Sequence, residues 1–94
     1  MQINVITGPQ GSGKTTKLEK LATPKGYVII PALEFTSIAL VRTVMARIEA
    51  GDTCILIDDC SPEQIKQLHV MKQVADAANA FSHLTIHVAQ QAME

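Results

Sequence analysis

Near the start of the chain, Gly8-Pro9-Gln10-Gly11-Ser12-Gly13-Lys14-Thr15 stands between a short β-branched run and a helical pattern. The glycines let the backbone curl so that successive N–H groups point at one centre. A helix opening at Lys14 turns its own unpaired N–H groups, and the positive end of its dipole, toward that centre. The segment therefore constrains the fold to strand, tight loop and helix, with an anion cradle at the junction.

The rest of the chain repeats this alternation. Residues 2–7 (QINVIT) read as a strand and residues 14–22 as a helix, with Leu18 and Leu21 on its inner side. Thr23-Pro24-Lys25-Gly26 is a turn. Residues 27–30 (YVII) form an apolar run that Pro31 ends. A second helix lies within residues 36–50, starting anywhere from Ala32 to Ser37, with Ile38, Val41, Met45 and Ile48 as its expected inner face and Gly51 closing it. Residues 53–57 (TCILI) form a third strand, and Asp58 and Asp59 follow it. Ser61, Pro62 and Gln64 spell a capping box for a third helix, with Ile65, Leu68, Met71, Ala75 and Ala78 inward and an end near Ser82. Residues 84–89 (LTIHVA) are the last strand. Strands alternating with helices predict an α/β fold with a parallel sheet covered on both faces. Asn4 fits an edge strand better than a central one.

The composition is that of an ordinary globular chain, and its 94 residues fit a single domain spanning 1–94. A net charge of −1 gives no support to a nucleic-acid footprint, and the three aromatic residues supply no base-stacking surface. No apolar stretch is long enough for a membrane span and the N-terminus lacks the pattern of a secretory signal, so the expected location is cytoplasmic. Cys54 and Cys60 lie at the two ends of an extended segment, about 20 Å apart at the strand rise. They are expected as free thiols. His69, His83 and His87 show no metal-ligand spacing.

On the loop Gly8–Thr16 and the stretch CILIDD (residues 54–59), the chain resembles the P-loop NTPase superfamily. The resemblance implies a three-layer α/β/α fold and assigns ATP and Mg²⁺ as ligands. Gly8, Pro9, Gln10, Gly11, Ser12 and Gly13 would wrap the phosphates. Lys14 would reach the β- and γ-phosphates, the Thr15 hydroxyl would bind Mg²⁺, and Thr16 would donate to the α-phosphate. Asp58 matches the Walker B acid that holds Mg²⁺ through water. Many relatives follow that acid with a Glu that orients the attacking water. Here the next residue is Asp59, one methylene shorter, and Glu34 after the second strand is its rival. The element order resembles the additional-strand (RecA- and AAA-like) ATPases, which implies the strand order 2-3-4-1 and makes Gln90 the candidate γ-phosphate sensor at the tip of the last strand.

Other pieces of the superfamily are missing from the sequence. There is no insertion long enough for a kinase lid, no N-K-x-D for guanine, and Arg42 and Arg47 on the second helix are the only arginines. The chain stops where most such cores continue with a fifth strand and a partner-binding domain, and its strand order leaves two unprotected edges. The reading is an ATPase that is slow alone and acts as a homo-oligomer or with a partner protein. Its alternatives are a nucleotide-binding interaction module with negligible turnover, and a small-molecule or nucleotide kinase. The resemblance also implies nucleic-acid handling of the kind found in phage and mobile elements.

Overall fold

In the computed structural model the described residues are 1–8 and 13–91, and for Lys14, Thr15 and Lys25 the backbone alone. Four strands, β1 (Gln2–Ile6), β2 (Ile29–Pro31), β3 (Cys54–Cys60) and β4 (Thr85–Gln90), alternate with three helices, α1 (Lys14–Ala22), α2 (Ser37–Glu49) and α3 (Pro62–Ala77). All strand pairs are parallel, and the order is β1-β4-β3-β2. This is the order 2-3-4-1 read from the opposite edge. Asn4 lies on an edge strand, paired with His87 of β4.

The two faces of the sheet follow the two-residue period of β3. Ile55 and Ile57 join Leu40, Val44, Leu68, Ile86 and Val88 in the larger core beneath α2 and α3. Leu56, between them in sequence, joins Leu18, Ala22 and Ala89 beneath α1. The layers are therefore α1, sheet, and α2 with α3. Coverage on the α1 face is thinner than expected, because a single short helix shields it. His87 of β4 stays half-buried there. That burial still holds its imidazole below the ordinary pKa.

Helix ends obey local chemistry. The Ser61 hydroxyl accepts from Gln64 N at 3.1 Å and Gln64 Oε1 accepts from Ser61 N at 2.8 Å, which completes the expected capping box. Thr36 starts α2 by accepting from Ala39 N at 3.1 Å. Helix α3 ends at Ala77, five residues short of Ser82. Asn79 takes a left-handed backbone with φ 53, and Asn79 N and Ala80 N donate back to Asp76 O and Ala75 O. That is a Schellman closure with asparagine where glycine is commoner.

The inner face of α2 differs from the expected one. Leu40 and Val44 are fully buried, whereas Ile38 is 69% exposed. The helix carries two overlapping apolar stripes, and it is the Leu40 stripe that packs on the sheet. Strand bounds also move: β2 begins two residues later than the apolar run and includes Pro31, while β3 extends through Asp58 and Asp59 to Cys60. Among the described residues no helix is long and apolar enough to cross a membrane.

Replacing Leu40 by Ala is expected to cost about 2–5 kcal/mol of stability, as large-to-small changes in cores do. Ile38→Ala, on the same helix, is expected to stay within about 0.5 kcal/mol of the parent. Urea denaturation of the two variants measures both.

Candidate functional site

Parallel pairing brings the carboxyl ends of all four strands to one edge of the sheet. There β1 ends at Ile6, Gly8 follows two residues on, and Gly13 is the N-cap of α1, which opens at Lys14. Gly13 has φ 86, a left-handed conformation that costs glycine nothing. Its carbonyl already accepts the first intrahelical bond, from Lys17 N at 3.0 Å. The α1 terminus has no side-chain cap and no acidic residue in its first turn, whereas the α2 and α3 termini are capped by Thr36 and Ser61. Thr16 lies exposed on that first turn. Pro9, Gln10, Gly11 and Ser12, and the side chains of Lys14 and Thr15, are outside the described residues.

At the same edge, β3 is irregular. Ile57 pairs with Val88 and Cys60 with Gln90, so β3 spends three steps where β4 spends two. The extra residue is a β-bulge. Asp59 carries it, with φ 53 in the left-handed region. The consequence is chemical. Strict alternation after Ile55 and Ile57 would aim Asp59 into the larger core. The bulge sends Cys60 there instead, fully buried, and leaves Asp59 half-buried. Burial pushes the Cys60 thiol up to about 12, so it packs as a neutral apolar group. Cys54, at the other end of β3, is likewise in no disulfide.

The bulge also separates the two aspartates. Asp58 continues the β2 register opposite Pro31 and falls on the Leu56 face, the face of α1. Its Oδ1 accepts from Asp59 N at 3.0 Å, which braces the kinked peptide. Asp59 instead lines a groove of about 500 Å³ on the opposite side, with Leu33, Phe35, Ile38, Glu63 and Gln91 among its walls. Glu34 is exposed on the 3₁₀ turn Ala32–Glu34 that follows β2. Leu33 and Phe35 flank it in sequence and line the groove, while Glu34 itself does not.

Gln90 closes β4 and is half-buried opposite Cys60, on the strand that lies between β1 and β3. Gln91 N donates to Cys60 O at 2.7 Å, which fastens the β4 tip to the bulge. The fold thus gathers Gly8, Gly13, Asp58, Asp59 and Gln90 at one edge, with Glu34 beside them. The arginines are elsewhere. Arg47 sits in the last turn of α2, 3.8 Å from Asp52, before the amino end of β3. Arg42 is exposed in the middle of α2.

Gln64 was legible only as a cap. It is a buried polar residue, 6% exposed, and its Nε2 donates to Ala32 O at 3.0 Å and Phe35 O at 2.9 Å. Those partners are 32 and 29 residues away, beyond any local pattern. Among the described residues no group of three or more His, Cys, Asp and Glu gathers as a self-contained metal cage. Comparison with protein-family profiles, curated proteins and solved structures gives no match to this chain.

A left-handed backbone costs a β-branched residue roughly 1–2 kcal/mol and glycine nothing. Asp59→Val is therefore expected to be less stable than Asp59→Gly by about 1–2 kcal/mol, measured by chemical denaturation. Equal stability of the two would mean that position 59 has no strained backbone.

Proposed function

We propose that this chain is a minimal P-loop NTPase of the additional-strand kind that binds ATP with Mg²⁺ at the carboxyl edge of its sheet and hydrolyses it slowly. One observation carries the reading. Gly8 and Gly13, the described ends of the G-x-x-x-x-G stretch, and the Asp58–Asp59 tip stand at the same edge of an all-parallel sheet, with β4 between their strands. Open α/β sheets bind ligands at that edge. The uncapped N-terminus of α1 adds to it, because an anion there replaces the missing cap.

The residues fit the group. Mg²⁺ takes hard oxygen ligands, commonly one or two side chains together with phosphates and water. Thr15 and Asp58 would hold it, and no dedicated cage is required. When bound, Mg²⁺ neutralises charge on the β- and γ-phosphates.

The chain's own groups do the rest. The backbone N–H groups available between Gly8 and Gly13, where Pro9 supplies none, and the Lys14 ammonium grip the phosphates, and Thr16 orients the α-phosphate. Water attacks the γ-phosphorus and the bond to the bridging oxygen breaks, leaving ADP and inorganic phosphate. Asp59, or Glu34 in its place, orients the water and accepts its proton. Gln90 donates to the γ-phosphate.

Transition-state charge is the unmet need. An arginine finger contributes about 10³–10⁵ in rate, and Arg47 is engaged with Asp52 away from the phosphate edge. The isolated chain should therefore turn over well below about 1 s⁻¹, and a second copy or a partner protein is the source of the missing cation. The same feature favours a second reading, a nucleotide-binding module without useful turnover. Nucleic-acid handling as the process served rests on the resemblance alone.

Lys14→Ala should weaken ATP binding about ten- to a hundredfold, the loss of one charge-assisted hydrogen bond to phosphate, with folding intact. Asp58→Asn should reduce Mg²⁺-dependent binding more than Mg²⁺-free binding. Calorimetric titration with ATP, with and without Mg²⁺, reads both. Unchanged affinity in folded Lys14→Ala contradicts the proposal. Phosphate release per chain that rises with protein concentration separates the ATPase from the passive module.

A further inference from the structure

We propose that Gln64 is a positioning residue: through its side-chain amide it holds the turn that carries Glu34 in register with the Asp59 bulge. The inference rests on the nucleotide reading of the carboxyl edge and adds to it the device that fixes that edge's geometry.

The Gln64 amide is used on both sides. Its oxygen accepts from Ser61 N, two residues after the bulge. Its nitrogen donates to Ala32 O and to Phe35 O, the two carbonyls that bracket Leu33 and Glu34. Ala32 O also accepts from Phe35 N at 3.1 Å, so the 3₁₀ turn is closed on itself and then tied to α3. Cys60, next to Ser61, receives the bond from Gln91 N. One buried side chain thus links the end of β2 to the end of β3, one residue from the link between β3 and β4. The groove lined by Leu33, Phe35, Asp59, Gln64 and Gln91 lies along this junction.

The residue type supports the assignment. A capping box needs only an acceptor oxygen at this position, and Glu serves it as well as Gln. The NH₂ group matters only to the two carbonyls. Buried among the described residues, it leaves no side-chain nitrogen or oxygen without a partner. A carboxylate in its place would face two carbonyl oxygens with nothing to donate.

This separates the two roles experimentally. Gln64→Glu keeps the cap and breaks the clamp; Ser61→Ala weakens the cap and keeps the clamp. Amide hydrogen exchange, Mg²⁺–ATP affinity and phosphate release are measured on the parent and both variants. Gln64→Glu is expected to speed exchange at residues 33–36 about tenfold or more, the loss of two buried hydrogen bonds. It should bind Mg²⁺–ATP within about threefold of the parent and release phosphate at least about tenfold more slowly, as a misplaced reacting group does. Ser61→Ala is expected to loosen residues 62–66 and keep the parental rate. Parental exchange at 33–36 in Gln64→Glu overturns the clamp, and a parental rate despite a loosened turn overturns the positioning role. A parent that binds ATP but releases no phosphate also overturns the positioning role and leaves nucleotide binding standing. A parent that does not bind Mg²⁺–ATP overturns the nucleotide reading itself.

Discussion

Parallel strand pairing is the constraint on which the rest of this structure depends. It sends every strand in one direction, so every loop that follows a strand emerges at one edge. Gly8 and Gly13, the 3₁₀ turn with Glu34, the two aspartates and Gln90 are scattered over most of the chain. They meet because four short strands agree in direction. The apolar residues of β3 and β4 hold that agreement in place. Ile55, Ile57, Ile86 and Val88 are buried on one face, and Leu56 and Ala89 on the other. With strands of three to seven residues, the site's frame is only as firm as this small core.

Frame and function meet at the bulge. An acid at the tip of a buried strand has two bad options: desolvation in the core, or a register slip that turns the whole strand over. The extra residue avoids both. Cys60 takes the core position, Asp58 keeps the α1 face, and Asp59 opens onto the groove at the starts of α2 and α3. The strained φ at Asp59 is braced by its neighbour's carboxylate. Its geometry is held by two outside fastenings, Gln91 N on Cys60 O and Gln64 across to the β2 turn. Local strain of this kind persists where surrounding contacts determine it.

How much of this was readable in the sequence divides along range. The strand–helix order, the Ser61 capping box and the bounds of α1 rest on neighbours a few residues apart, and those were legible. So were the edge position of β1, from the polar Asn4 within it, and the sheet order, through the resemblance to a known architecture. Ile38 reads as inward from the sequence because α2 has two apolar stripes, and only contact with the sheet chooses between them. The end of α3 lies earlier than the pattern suggests because Asn79 does the work usually given to glycine. The bulge could not be seen in IDDC, since it is defined by pairing with Val88 and Gln90 in another strand. The second duty of Gln64 was hidden for the same reason: its partners lie in the β2 turn.

The central claim is spatial: Mg²⁺–ATP sits on the carboxyl edge of the sheet. Backbone amide chemical shifts, recorded during titration with Mg²⁺–ATP, test it most directly. The account predicts that the large changes fall on Gly8, Gly13, Thr16, residues 58–60, Gln90 and Gln91. Residues of the opposite edge, such as Gly26, Thr53 and Thr85, should stay unmoved. Saturable changes centred on that opposite edge, or none at millimolar nucleotide, would contradict it.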